Sequence, residues 1–424
     1  MKIVELTGPE FDEYSSKSKL NNFYQTSKYA ILMSNHGYNY DLIGFVDEND
    51  NNKIYAATVV LNKVITGKVK YGYCPKGFLI DYYDQKLVEE FLVALKQHYK
   101  ERGYIFIKFN PEVIIGKIDP KNKYQINYNG NVRIIDNLKA LGIKRRLEQQ
   151  EFELMQPKYV GYINLKEFDF TKVNRNYRKK IRRCINEGMQ LTIGNAKEID
   201  IFYNFIKDKT NKSIVYYRDL YNVFSKDNSI DLLFVKANYQ KYLEYVRKEY
   251  DKEEQMNYKW NDIIAKNPKK TNIVSKMNSD NKLQGFKDKI IQATEGLKKH
   301  SEAIIAAALV IKHHGIITIV ESGFGDEYRQ LNPNHFLYYS ILERYKPYFN
   351  FCNIGGISSF DENAQFKGLN DYRLKWNPLL FEFIGEFDLV CSEYYFKRLI
   401  NSSYIEKEFT NAPINKNVPQ QPQQ

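Results

Sequence analysis

Tryptophan is nearly absent, at 2 residues, and cysteine is scarce, at 4. Cys74, Cys184, Cys352 and Cys391 lie far apart with no CxxC pair, which argues against a disulfide scaffold and a zinc knuckle. The 6 histidines are scattered as well, and the adjacent His313 and His314 would point to opposite faces of a strand. No metal site is expected. There is no Walker loop, no GxGxxG after a strand, no GxSxG elbow and no HExxH. The acetyl-CoA signature is missing from any strand-to-helix position; QLTIGNA (190–196) is one residue too long for it. Long apolar runs are lacking too. The longest, Ala303 to Ile311, stops at Lys312, far short of a bilayer span. The N-terminal MKIVELTGPEFDEY has no signal-peptide core, so a soluble, cytoplasmic protein is expected.

What is present fills 424 residues, enough for two or three domains. Hydrophobic residues make up 43% and charged ones 27%, so most of the chain has the means to bury a core. The 35 tyrosines suit clefts and interfaces, since each buries a ring and keeps a polar end. Lys and Arg number 63 against 51 acids, a net +12 that favours a polyanionic partner: nucleic acid, an anionic membrane face or a phosphorylated substrate.

Residues 53–65 read as a strand, 84–103 as an amphipathic helix ending at Gly103, and 104–111 as a buried strand. Strand, helix, strand points to an α/β layer. A second α/β passage begins near Tyr159, and IIAAALVIKHHGIITIVES (304–322) reads as a hairpin turning at His314 and Gly315. Between about Ala237 and Lys299 the texture changes. Tyr239, Tyr242, Val246, Tyr250, Leu283, Phe286 and Ile290 fall mostly at steps of three and four around a break at Pro268, predicting an antiparallel helical hairpin. The tail NAPINKNVPQQPQQ is low-complexity and expected to be disordered.

The densest basic feature is NRNYRKKIRRCINEG (174–188). Helical spacing puts Tyr177, Ile181, Cys184 and Ile185 on one face and Arg175, Arg178, Lys179 and Arg182 on another. A solvated face is the ordinary explanation of such a run; the near-absence of acidic residues favours phosphate binding. In 207–224, Arg218 stands beside Tyr216 and Tyr217 and three residues before Tyr221, a combination suited to a carboxylate or phosphate and a sugar or peptide. FCNIGGISSF (351–360) followed by KGLNDYRLKWNP (367–378) reads as paired glycines and then a strand. The glycines would end a strand, a loop would follow, and in the next strand Tyr372, Leu374 and Trp376 would fill the core, with Arg373 and Lys375 on the opposite face towards a cleft.

YQTSKY (24–29), YCPKGFLID (73–81), MQPKYVGYINL (155–165), the basic helix, YRQLNPNHFLYYSIL (328–342) and GGISSF…KGLNDYRLKW occur in this order. Together they resemble the FemABX family of peptidoglycan-bridge aminoacyltransferases over about residues 1–400. The resemblance implies an α/β fold of two GNAT-like domains, mixed sheets flanked by helices, with the helical hairpin inserted as an arm. Domain 1 would span 1–156 and be completed by 386–410; domain 2 would combine 157–236 with 301–385; the arm would be 237–300 and the tail 411–424.

The resemblance also implies transfer of an amino acid from aminoacyl-tRNA to the side-chain amine of a stem peptide. The acceptor would be lipid II or a nucleotide-linked muropeptide, with peripheral contact at the inner membrane face. No cofactor is implied; aminoacyl-tRNA is a co-substrate. Gln25, Lys28, Arg218, Tyr221 and Tyr372 are the candidate substrate-binding residues, and Arg175, Arg178, Lys179 and Arg182 the candidate tRNA contacts. Met33 occupies a position where the family often has lysine, and Arg373 one where it usually has lysine. Because the donor is an activated ester, aminolysis needs no covalent enzyme intermediate. It needs a neutral amine and a donor at the developing oxyanion. A lysine-like amine of pKa about 10.4 costs roughly 4.6 kcal/mol to neutralise at pH 7. Arg373 and Lys375 are the candidate catalytic residues, and Asp371 and Glu321 the conceivable proton acceptors. The competing readings are a CoA-dependent N-acyltransferase and a non-catalytic RNA- or envelope-binding protein.

Overall fold

The computed structural model describes residues 1–50, 53–64, 70–122, 124–145, 156–358, 360 and 367–400. Strands β1 (Lys2–Glu5), β2 (Asn39–Val46), β3 (Ile54–Val64) and β4 (Lys70–Cys74) open the chain, with α1 (Gly8–Lys17) and α2 (Ser27–Ser34) between the first two. Thr7 and Glu10 cap α1 reciprocally, and Thr26 caps α2, so first-turn amides find acceptors. Helix α3 (Gln85–Glu101) is capped by Asp84 and followed by Gly103, whose φ of +80° suits glycine. Its Val88, Phe91, Leu92, Leu95 and Tyr99 are buried, the face that their spacing predicts. Then come β5 (Tyr104–Phe109), β6 (Ile114–Asp119), β7 (Gln125–Tyr128), α4 (Val132–Ala140) and β8 (Lys144–Arg145).

The next passage holds β9 (Tyr159–Asn164), α5 (Arg175–Asn186), β10 (Gln190–Ile193), α6 (Ile199–Ile206), α7 (Ile214–Ser225) and β11 (Ile230–Asn238). Two long helices follow, α8 (Tyr239–Lys266) and α9 (Lys270–Lys299). They meet along a seam in which Asn257 donates to Ser279 at 3.1 Å and to Asp280 at 2.8 Å. The chain returns through β12 (Glu302–His313) and β13 (Ile316–Phe324). Their turn has His314 at φ +42° and Gly315 at φ +79°, the left-handed pair that a two-residue hairpin requires. Because His314 belongs to the turn, its ring lies 4.6 Å from that of His313 instead of pointing away. Elements α10 (Pro333–Tyr345), β14 (Phe351–Ile357), α11 (Lys367–Leu374), β15 (Leu379–Phe383), β16 (Phe387–Val390) and α12 (Glu393–Ile400) complete the described chain.

The result is a mixed α/β fold of two sheets flanked by helices. One runs β1-β2-β3-β4-β5-β16-β8, the other β10-β11-β12-β13-β14-β9-β15-β6-β7. A boundary at residue 156 therefore does not separate the sheets: β6 and β7 join the second, β6 pairing with β15, while β16 returns to the first. Nor are the cores separate. One apolar cluster unites Phe11, Leu32 and Leu61 with Phe202, Leu220 and Leu232, tying the two sheets together.

The reading of 372–376 as a strand is corrected: Tyr372 to Leu374 end the helix α11, and Lys375 and Trp376 form the turn after it. Tyr372 and Trp376 are four residues apart, a spacing that suits one helical face as well as alternate strand positions. Both rings pack on Tyr177, at 5.6 and 5.5 Å. Among the described residues no helix is long and apolar enough to cross a membrane. The tail 411–424 and the 401–410 part of the expected domain completion lie outside the described residues.

Candidate active site

Two irregularities in the second sheet open its face. Between Leu309 and Val310 of β12 the register against β13 slips, with Leu309 opposite Glu321 but Val310 opposite Ile319. A second slip sets Asn353 against Tyr162 and Gly355 against Gly161. Such bulges bend a strand and re-aim its side chains. Thr318 to Ser322 on β13, and Asn353, Gly355 and Gly356 on β14, accordingly line one cleft of about 500 Å³. Another part of its wall comes from segments beside the first sheet: Asn22 and Tyr24 before α2, Lys76 after β4 and Glu112 after β5.

On that wall the Lys76 ammonium lies 3.1 Å from the Glu112 carboxylate and 4.6 Å over the Phe383 ring. Lys76 holds a left-handed φ of +56°, fixed by its amide donating to Asn110 at 2.9 Å and its carbonyl accepting from Asn22 at 3.3 Å. Tyr162 donates to Glu112 at 3.2 Å, and burial pushes its phenol well above the ordinary value.

The lining also includes Glu321 and Arg373. Burial pushes the Glu321 carboxyl up to about 7, against the pull of Arg373 and of hydrogen bonds from the Ser322 backbone and Tyr217. Tyr217 shares a 2.8 Å hydrogen bond with Thr210, another cleft residue. Arg373 donates from Nη1 to the Gly356 carbonyl. A Cβ at position 355 would stand 2.5 Å from Arg373 Nη2, and Gly355 itself sits at φ +95°, so glycine is required there twice over. Burial draws the Arg373 pKa down, opposed by Tyr338 and Glu321. The guanidinium stays charged, since arginine keeps its proton in proteins. All four cysteines are buried, so no thiol is offered to substrate.

Among the residues singled out from sequence, Glu321 and Arg373 reach the cleft, Arg373 from a helix and not from a strand. Lys375 does not. It is exposed just beyond α11, in a shallow depression with Lys172, Asn174 and Asp371, which also removes Asp371 as a proton acceptor in the cleft. Tyr372 packs against Tyr177 and Tyr338 and donates to the Asn334 carbonyl at 3.1 Å. Gln25 is fully buried, bonded to the Pro75 carbonyl at 2.7 Å and the Val59 amide at 2.9 Å, and so braces the first sheet. Lys28 pairs with Asp227 and reaches Ser229 at 3.3 Å. Arg218 grips exposed Asp200 at 2.7 and 2.9 Å, and Tyr221 lies half-buried on the shared core. None of these lines the cleft. Met33 is buried in that core.

Helix α5 buries Tyr177, Ile181 and Cys184, while Ile185, expected among them, is 46% exposed. Arg175, Lys179 and Arg182 are exposed; Arg178 is half-buried and donates to the Val173 carbonyl at 3.0 Å. Lys76, Glu112, Tyr162 and Tyr338 were not singled out from sequence. The first two follow strands directly, at a proline-marked turn (Pro75 and Pro111), and that position is the signal which could have found them.

The fold is similar to that of a solved structure, the crystal structure of FemX. It matches 95% of this chain and 100% of its own at TM-score 0.71 and 20% identity. The chain belongs to the FemAB family, whose model matches residues 6–402. It is 23% identical over 412 residues to the aminoacyltransferase FemA of Staphylococcus epidermidis, covering 91% of this chain and 95% of that one. It is 24% identical over 380 residues to the lipid II:glycine glycyltransferase of Staphylococcus saprophyticus, covering 86% and 87%.

Proposed function

We propose that this protein transfers an aminoacyl group from aminoacyl-tRNA to the side-chain amine of a stem peptide in a peptidoglycan precursor, lipid-linked or nucleotide-linked. The family and the names of its relatives support the transferase class. The observation that carries the chemistry is Glu321, held at about 7 in the same cleft as Arg373.

The acceptor arrives as an ammonium. Glu321, about half ionised at pH 7 and increasingly so above it, takes its proton; a base with a pKa near the working pH is best placed for that exchange. The neutral amine attacks the ester carbonyl, the C–N bond forms, and Arg373 stabilises the oxyanion. Collapse breaks the C–O bond to the terminal ribose, whose oxygen takes the proton held by Glu321; the attacking nitrogen then gives its second proton to the freed Glu321 carboxylate, which passes it to solvent. The amide and a free ribose hydroxyl are the products, and no side-chain nucleophile is consumed.

The test is to incubate purified protein with tRNAs charged one at a time with radiolabelled amino acids and either acceptor class. Label appearing on the acceptor peptide with one charged tRNA is the expected result. Label transferred only from acyl-CoA, or RNA binding without any transfer, overturns the proposal.

A further inference from the structure

The far half of the α8–α9 pair combines exposed apolar side chains with a run of lysines. Near the body, Tyr242, Leu243 and Val246 of α8 and Ala293 of α9 belong to the second apolar cluster. Farther out the buried seam is polar, with Asn257 against Ser279. Outside that seam, Met256, Tyr258, Ile263, Ile273, Val274 and Met277 are between 39% and 64% exposed. Interleaved with them, residues 256–277 hold five lysines, Lys259, Lys266, Lys269, Lys270 and Lys276, against the single acid Asp262. Lys276 pairs with Asp280 at 2.6 Å. Trp260, half-exposed, sits among them.

We propose that this tip docks on an anionic lipid bilayer. An aqueous surface with six open apolar side chains gains most from a phase that removes them from water, and lysines beside them meet headgroup phosphates. Tyr258 and Trp260 have the amphipathic rings that settle at the headgroup level. An RNA partner would engage the lysines and leave the apolar side chains in water. A second copy of the chain would bring lysine against lysine. The stretch from Tyr250 to Lys266 spans about 25 Å of helix, at about 1.5 Å per residue. This docking does not depend on the transfer chemistry.

The experiment mixes the full chain with phosphatidylcholine vesicles, with and without phosphatidylglycerol, and reads co-sedimentation and tryptophan emission. The chain has 2 tryptophans and Trp376 is 1% exposed, so a blue shift on binding reports Trp260. Phosphatidylglycerol should promote both binding and the blue shift. Each lysine at an anionic surface is worth roughly a fivefold change in partitioning. The triple change Lys266→Glu, Lys269→Glu and Lys270→Glu should therefore lower it by at least about a hundredfold. Ile273→Ser with Met277→Ser should abolish the blue shift with helix content unchanged. The proposal is overturned if the parent ignores phosphatidylglycerol or if both variants bind vesicles like the parent. It is equally overturned if the variants instead lose tRNA binding or a dimer while vesicle binding stays the same.

Discussion

Positive charge serves this molecule in two unlike settings. In the cleft, Arg373 is surrounded by protein, hydrogen-bonded to Gly356 and close enough to Glu321 to oppose its protonation. On α5, Arg175, Lys179 and Arg182 face open water with no acidic neighbour on their helix until Glu187, which Arg183 occupies at 2.5 Å. Fields inside a water-poor site are strong and poorly screened; those on a surface are weak, additive and salt-dependent. One substitution should therefore matter steeply in the first setting, and only sums of substitutions in the second.

The sharpest break of that contrast is Glu321→Gln. Turnover should fall by about 10²–10⁴-fold, the range of a lost general base, and the rising limb of the rate against pH near 7 should vanish. Stability moves the other way. The folded-state value lies above the ordinary 4.5, so the fold favours the protonated carboxyl. That contribution is complete below pH 4.5 and is lost as pH rises through about 7. At pH 8 the variant should thus melt above the parent; an unaltered pH profile together with an unaltered melting curve would remove Glu321 from the site.

Next in size is the pair Arg373→Ala and Lys375→Ala. The first should slow turnover by about two to three orders of magnitude, the scale of one oxyanion donor. Arg373→Lys should recover part of it, keeping the charge but not the planar fork. Lys375→Ala, two residues away and outside the cleft, should change turnover less than about twofold, the ordinary effect of an uninvolved surface residue. Equal losses at 373 and 375 would mean that the reacting centre lies elsewhere.

The smallest effect per residue belongs to α5. Replacing Arg175, Arg178, Lys179 and Arg182 by Ala should flatten the salt dependence of tRNA binding by about three units, since each phosphate contact contributes about one and Arg178 is partly engaged by Val173. Filter binding across a salt series measures it. An unchanged slope would make the helix an ordinary solvated face.

Local signals were legible wherever one element explained itself. Asp84, five buried positions and Gly103 mark α3 without help from the rest of the fold, and His314 with Gly315 mark the hairpin. The error at 372–376 came from a spacing shared by two periods: Tyr372 and Trp376 suit alternate strand positions and also one helical face, and only Tyr177 and Tyr338 decide between them. The cleft was harder to read because its walls come from distant segments. Gly355 precedes Arg373 by 18 residues, while Lys76 and Glu321 are 245 apart, and no local pattern records that they face one space. Gln25 and Arg218 show the converse, since motif residues with suitable chemistry turned out to be spent on a backbone brace and a surface pair.

The return of β16 to the first sheet has a consequence for how the chain is made. Strand β5 ends at Phe109, yet its second neighbour is 387–390, and β8 is attached to the sheet through that same strand. At about 5–20 residues per second, a ribosome takes tens of seconds to travel from one to the other. Throughout that interval the nascent N-terminal segment carries an open strand edge, and its sheet closes only once residues 387–390 have been made. A chain interrupted before residue 387 is therefore left with exposed backbone along β5, a template for pairing with its neighbours on the same message.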